Sequence, residues 1–197
     1  MLKALPREAL IALRLSVIMF VVLGLLYPLF ITGVAQGVFH YQANGSLVTE
    51  HGRVIGSTLI GQEFTSNRYF WGRVSATSPQ PYNANASTAS NLAPSNAALI
   101  KEVKQNVARI RKANHLGPDQ KIPVDLVTAS GSGLDPDISV ASAMLQVNRV
   151  AQARGLQPSK VRALVDQDTT GRTLFIFGDP YVNVLQLNQD LDAGKAR

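Results

Sequence analysis

The segment of this 197-residue sequence best suited to binding chemistry is Ser130-Gly131-Ser132-Gly133. It lies between a strand pattern at 124–128 and a helix pattern opening at Asp135-Pro136-Asp137. A glycine-rich strand-to-helix turn can cradle phosphate on its backbone N–H groups. This one lacks the lysine of a P-loop and is not a GxGxxG, so its plainer reading is a tight turn. Asp135 and Asp137 could form an acidic pair, but aspartate at a helix start is ordinary capping. The three histidines, His40, His51 and His115, show no metal-ligand spacing, so no metal site is expected. The absence of cysteine removes disulfides, thiolate metal sites, iron–sulfur clusters and thiol nucleophiles. No Ser-His-Asp or paired-carboxylate arrangement stands out. The residues therefore point to an accessory or binding domain rather than an enzyme.

The elements that must position these residues are readable from periodicity. Leu99, Val103, Val107 and Ile110 fall on one face of a helix over 97–113, with Ser95 or Asn96 as its cap. Val140, Met144, Val147 and Ala151 mark a second helix, which starts at Asp135–Asp137 and stops at Gly155; Gln146 is expected on its polar side. Pro158 and Ser159 open a third. Val184, Leu187, Asn188 and Leu191 mark a fourth that ends near Gly194. Strand character is read at Val54-Ile55, Thr58–Ile60, Val124–Thr128 and Thr173–Phe177. Residues 75–96, almost all Ser, Thr, Ala, Asn and Pro, read as a linker or irregular loop. The fold class is α+β, with a small mixed sheet and about four helices in one domain over 42–197.

Charge places that domain. Charged residues make up 16% of the chain, and the 35 residues between Arg14 and Glu50 contain none. Leu15–Val38, as a helix, spans roughly 36 Å, enough for the ~30 Å hydrocarbon core. Pro28 is tolerated there and expected to kink the helix. The run exceeds a signal-peptide core, so it reads as a retained anchor that crosses once. Lys3, Arg7 and Arg14 precede it, and the next basic residue is Arg53. The positive-inside rule puts residues 1–14 in the cytoplasm and the domain outside the membrane. The net charge of +6 is otherwise scattered, its dense run being Arg109, Arg111 and Lys112, and nucleic acid is not an expected partner.

The chain resembles a known family. GSTLIGQEF (56–64), YFWGR (69–73), SNLAPSN (90–96), VDLVTASGSGLDPDIS (124–139), QVNRVAQARGL (146–156) and VNVLQLNQDLD (182–192) carry the likeness. With the anchor they cover nearly the whole chain, in order. The family is the C subunit of the bacterial Kdp potassium-transporting P-type ATPase.

The resemblance implies a non-catalytic accessory subunit in the bacterial inner membrane. Its partners would be a channel-like potassium subunit, an ATP-hydrolysing subunit and a further small membrane subunit. ATP and potassium would be used by the complex, with no cofactor bound directly. The family is described as a catalytic chaperone, which implies ATP contacts at Ser130, Gly131, Ser132, Gly133 and Gln146. An N-in anchor opposes this, because ATP is inside and the domain outside. The preferred expectation is assembly and potassium access. The docking candidates are Tyr69, Phe70, Trp71, Arg73, Asn83, Asn91 and Asn96, since aromatics and arginine anchor interfaces and amides add neutral hydrogen bonds.

Overall fold

The structure, a computed structural model, describes residues 5–196. The chain divides into two compact units between Leu47 and Val48. In the first, α1 (Leu5–Met19) passes through a π-helical stretch, Phe20–Leu26, into α2 (Tyr27–Val38). A short helix, α3 (His40–Ala43), follows. The π stretch ends just before Pro28. Proline has no N–H to donate and crowds the carbonyl four residues back, so a wider turn immediately upstream relieves both problems. From Pro6 to Val38 the helix is 33 residues long, longer than the 15–38 expectation, and its apolar window has none of its surface buried. Arg7 and Arg14 lie on its first part; Lys3 lies outside the described residues. After it, His40 Nδ1 pairs with Gln36 Oε1 (3.0 Å) and the Tyr41 hydroxyl donates to Ser46 O (3.1 Å).

The second unit is the α+β domain. It opens within a hairpin of β1 (Leu47–Glu50), whose first residue is the last of the preceding unit, and β2 (Arg53–Ser57). His51 and Gly52 both take positive φ, at 48° and 77°, the two-residue turn whose twist matches its strands. A second, antiparallel sheet has the order β3 (Asp137–Ser139), β5 (Tyr181–Asn183), β4 (Thr169–Thr170). Ile138 faces Val182 in that register, and both are buried. Helices α5 (Val140–Arg154), α6 (Pro158–Gln167) and α7 (Val184–Asp192) enclose a core of Phe70, Val147, Val150, Val161, Val165, Leu187 and Leu191. The long amphipathic α4 (Ala97–Ala113) covers a smaller cluster of Trp71, Ile110, Leu126 and Val127. Helix ends follow the sequence signals. Asn96, Ser139 and Asn183 side chains cap α4, α5 and α7, and Gly155, at φ +67°, ends α5.

Several local expectations are corrected. Residues 124–128 are not a strand: Val124–Leu126 is a single 3₁₀ turn. Pro123 precedes it, and the Thr128 hydroxyl donates back to Val124 O (2.8 Å). A short apolar run does not distinguish strand from turn by periodicity. Asp135–Asp137 does not open a helix. Asp135 Oδ1 accepts from the Asp137 N–H (3.0 Å), Pro136 O accepts from Val184 N (3.0 Å), and the chain enters β3. The α5 cap is Ser139 instead. Thr58–Ile60 leaves β2 in a tight turn closed by a Ser57–Ile60 bridge. Thr173–Phe177 is an exposed turn rather than a strand. The 75–96 segment is irregular, as composition implied, with one 3₁₀ turn at Ala84–Ala86.

One carboxyl strains this fold. Asp168 has a buried Oδ2 without a hydrogen-bond partner. Burial, then the charge of Asp190, push its pKa up to about 6, against the opposing pull of Lys195. A raised carboxyl pKa contributes stability that is full below the ordinary carboxylate range and lost as pH rises through about 6. Asp168→Asn is therefore expected to raise the melting temperature by a few degrees at about pH 7.5 and to leave it unchanged at about pH 4. Thermal melts at the two pH values check this; a larger gain at the acid pH contradicts it.

Candidate functional site

The segment 69–73 runs extended through the middle of the domain. Side chains alternate along an extended chain, so Phe70 and Trp71 enter opposite clusters, the first in the α5–α6–α7 core and the second under α4. The backbone polar groups of Phe70 and Trp71 each meet a side-chain amide. Asn188, on α7, accepts from Phe70 N–H (2.8 Å) and donates to Phe70 O (3.0 Å). Gln146, on α5, accepts from Trp71 N–H (2.8 Å) and donates to Trp71 O (3.1 Å) and Ser142 O (3.2 Å). Two helices thus supply, from side chains, the ladder bonds a neighbouring strand would supply.

Arg149 locks this arrangement. Its guanidinium lies 4.3 Å from the Trp71 ring centroid. It donates to Asn67 O (2.9 Å), Tyr69 O (3.0 Å), Gln146 Oε1 (2.6 Å) and Asn114 Oδ1 (3.0 Å). These acceptors are all neutral, and burial lowers its pKa to about 10. Trp71 Nε1 donates to Ser66 O (2.9 Å), and Arg109 lies over the same ring at 5.5 Å. At the segment's ends, the Tyr69 hydroxyl donates to Asp192 (2.9 Å), which also pairs with Arg154 (2.8 Å). That hydrogen bond, then burial, raise the phenol pKa. Arg73 pairs with Asp135 at 3.0 Å.

These placements correct three expectations. Phe70 is wholly buried and Trp71 9% exposed, so neither offers a docking surface on this domain; both hold it together. Gln146 is not on a polar face but is wholly buried. Of the other docking candidates, Tyr69, Arg73 and Asn83 are partly exposed, while Asn91 and Asn96 are exposed. Asn83 and Asn96 are also helix caps, accepting from Asn85 N–H (3.1 Å) and Ala98 N–H (2.8 Å).

The 130–133 turn is packed against the asparagine-rich loop. Ser132 O accepts from Thr88 N–H and the Ser87 hydroxyl, both at 3.0 Å. The Ser75 hydroxyl donates to Gly133 O (2.6 Å). Within the turn, Gly133 N–H donates to Ser130 Oγ (2.9 Å) and Leu134 N–H to Ser132 Oγ (3.1 Å). The Gly133 N–H of the candidate turn, and the Leu134 N–H that follows it, are thus bonded to the turn's own hydroxyls. Gln146, the remaining ATP candidate, has its amide engaged at Trp71. A neighbouring cavity of about 520 Å³ is lined by Asp125, Asp135, Asp137 and Asp179 with one arginine, Arg73. Burial, with Asp135 contributing less, raises the Asp137 pKa. Four carboxyl groups to one guanidinium is a poor environment for a polyphosphate. Among the described residues no three His, Asp or Glu side chains converge as metal ligands.

Gly133 has φ +68°, and a Cβ there would lie 2.6 Å from Thr88 O. Gly133→Ala is expected to lower stability by roughly 1–3 kcal/mol. Gly131, whose added Cβ meets nothing within 4 Å, tolerates the same change. Urea midpoints of the two variants check the contrast.

Sequence reasoning missed Arg149, Asn114 and Asp125. Asp125 braces the start of α5, accepting from Ser139 N–H (2.7 Å) and the Ser142 hydroxyl (2.6 Å). A signal for Asn188 was present: one amide on an otherwise apolar helical face, beside Val184, Leu187 and Leu191. Ser142, Gln146 and Arg149 likewise form a stripe at helical spacing, flanked by the buried Ala143, Val147 and Val150.

The fold is an α+β domain whose buried polar groups brace its own backbone, on a chain with, among the described residues, one helix long and apolar enough to cross a membrane. The chain belongs to the C-chain family of K+-transporting ATPases: the family model "K+-transporting ATPase, c chain" matches residues 9–193. Its relatives agree. It is 54% identical over 188 residues to a "Potassium-transporting ATPase KdpC subunit" of Paraburkholderia xenovorans (strain LB400), covering 92% of this chain and 96% of that one. It is 52% identical over 183 residues to the same subunit of Paraburkholderia phymatum, covering 91% and 95%. In Sorangium cellulosum (strain So ce56) the figures are 54% over 184 residues, covering 93% and 96%.

Proposed function

We propose that this chain is the non-catalytic C subunit of an ATP-driven potassium uptake complex in the bacterial inner membrane. Its N-terminus is cytoplasmic, its helix crosses once, and its domain stands outside the membrane. There it supports assembly of the complex and potassium access to the channel-like subunit. The ATP-hydrolysing subunit and a further small membrane subunit complete the partners. The complex, not this chain, uses ATP. The observation that carries the reading is the engagement of Gln146 and of the Gly133 and Leu134 N–H groups within the domain itself. Their positions favour a scaffold over a nucleotide contact. Arg7 and Arg14 before the apolar run, with no further basic residue until Arg53, support the orientation.

The test is to purify the ATPase through an affinity tag on the channel-like subunit, from cells expressing this chain either whole or truncated after residue 47. The whole chain is expected to copurify and the truncated one to leave an incomplete, poorly transporting complex. Full assembly and normal potassium transport without residues 48–197 would overturn the role assigned to the domain.

A further inference from the structure

Gly171 to Pro180 projects from the base formed by β4 and β5 and is exposed at every residue. At its tip are four consecutive large apolar side chains: Leu174 (73% exposed), Phe175 (95%), Ile176 (67%) and Phe177 (60%). Single exposed apolar residues are normal, but a contiguous group of this size marks a contact surface. The tip is a built shape. Thr173 and Phe177 exchange backbone hydrogen bonds, each 2.9 Å, and Phe175 N–H donates to Arg172 O (3.1 Å). Leu174 and Phe175 both take left-handed backbone, at φ +51° and +67°, which bulky side chains disfavour. The shape holds the two residues apart from any core of the domain.

We infer that the Leu174–Phe177 tip is a plug that seats in a concave, apolar, uncharged pocket on another subunit of the same ATPase. The inference rests on the subunit reading above. Two observations select a protein pocket over lipid. The charges that flank the tip, Arg172 and Asp179, are paired with each other at 3.0 Å. Segments that bind anionic bilayers carry clusters of Lys and Arg beside their apolar residues; here the one flanking cation is paired with a carboxylate. A fluid hydrocarbon also makes no demand on shape, whereas a fixed left-handed display at two bulky residues suits a complementary cavity. Phenylalanine side chains buried in such a pocket are the anchors around which interface affinity concentrates.

The experiment uses the full chain within its complex. Phe175→p-benzoylphenylalanine is incorporated, the assembled complex is irradiated in membranes, and adducts are identified by mass. A control carries the same photoreactive group at the exposed Lys160. An adduct joining this chain to another subunit, from position 175 and not from 160, is expected. In parallel, Phe175→Asp is expected to lower the retention of this chain on the purified complex about tenfold or more. Its melting temperature should be unchanged, since the side chain touches little of its own domain. Adducts only to lipid, only to a second copy of this chain, or none in a complex that copurifies intact would overturn the plug while leaving the subunit reading standing. Failure of the unmodified chain to copurify at all would overturn both.

Discussion

Replacing Arg149 by methionine is expected to destabilise the domain by about 3 kcal/mol or more, lowering its melting temperature by roughly 6–12 °C. Methionine retains most of the stem volume, so the loss is that of the head. Four acceptors lose their donor: those of Asn114 and Gln146 are buried, and those of Asn67 and Tyr69 lie nearer the surface. An unsatisfied buried polar group costs about 1–3 kcal/mol, and solvent entry can relieve only part of the set. The stacking over Trp71 is lost as well. Arg149→Lys should recover only a fraction, because an ammonium reproduces neither the planar stack nor the fork that reaches several acceptors at once. Trp71 is the only tryptophan of the chain, so its fluorescence reports the site directly during urea unfolding. A midpoint unchanged within error in the methionine variant would contradict the assignment of Arg149 as a lock.

The second large effect is expected at the amide clamps. Gln146→Leu leaves Trp71 N–H and O without partners and removes an acceptor from Arg149, at a cost of about 2–4 kcal/mol. Asn188→Leu does the same to Phe70 at a similar cost. Leucine is close to both side chains in size, so the changes test hydrogen bonding rather than volume. The two clamps differ in one respect. Gln146 and Arg149 share a bond, so their double variant should lose less than the sum of the single losses. Asn188 and Arg149 share none, and their losses should add within about 0.5 kcal/mol. Denaturation of the three single and two double variants distinguishes the patterns. Additivity for the first pair would contradict a common network.

How far the sequence carried this picture depends on the kind of signal. Helix α4 matched its predicted bounds because its apolar residues keep period and Asn96 caps it. The ends of α5 diverged: Gly155 stopped it as expected, but Asp135 and Asp137 resembled a helix start while forming an Asx turn and a strand. The same residue types serve both structures, and tertiary pairing of β3 with β5 decides between them. Thr173–Phe177 has a strand composition but, among the described residues, pairs only with itself through the Thr173–Phe177 bridge, and composition cannot report a missing partner. The aromatic group 69–73 reads as an interface anchor because aromatics and arginine favour that role, but Phe70 and Trp71 are buried inside the domain, while Tyr69 and Arg73 stay partly exposed. Burial of Phe70 and Trp71 follows from where Asn188 and Gln146 reach across more than 70 residues of sequence, which no local pattern encodes.

The role proposed for this domain depends on which side of the membrane it occupies. The chain has no cysteine, so a single cysteine introduced as Ser87→Cys, on the exposed loop before α4, gives an unambiguous label. Cells producing the complete complex are treated with a membrane-impermeant thiol reagent, with the outer membrane permeabilised. The prediction is full labelling before lysis and no increase after it, as an external scaffold requires. Labelling that develops only after lysis would place the domain with the ATP and contradict the account.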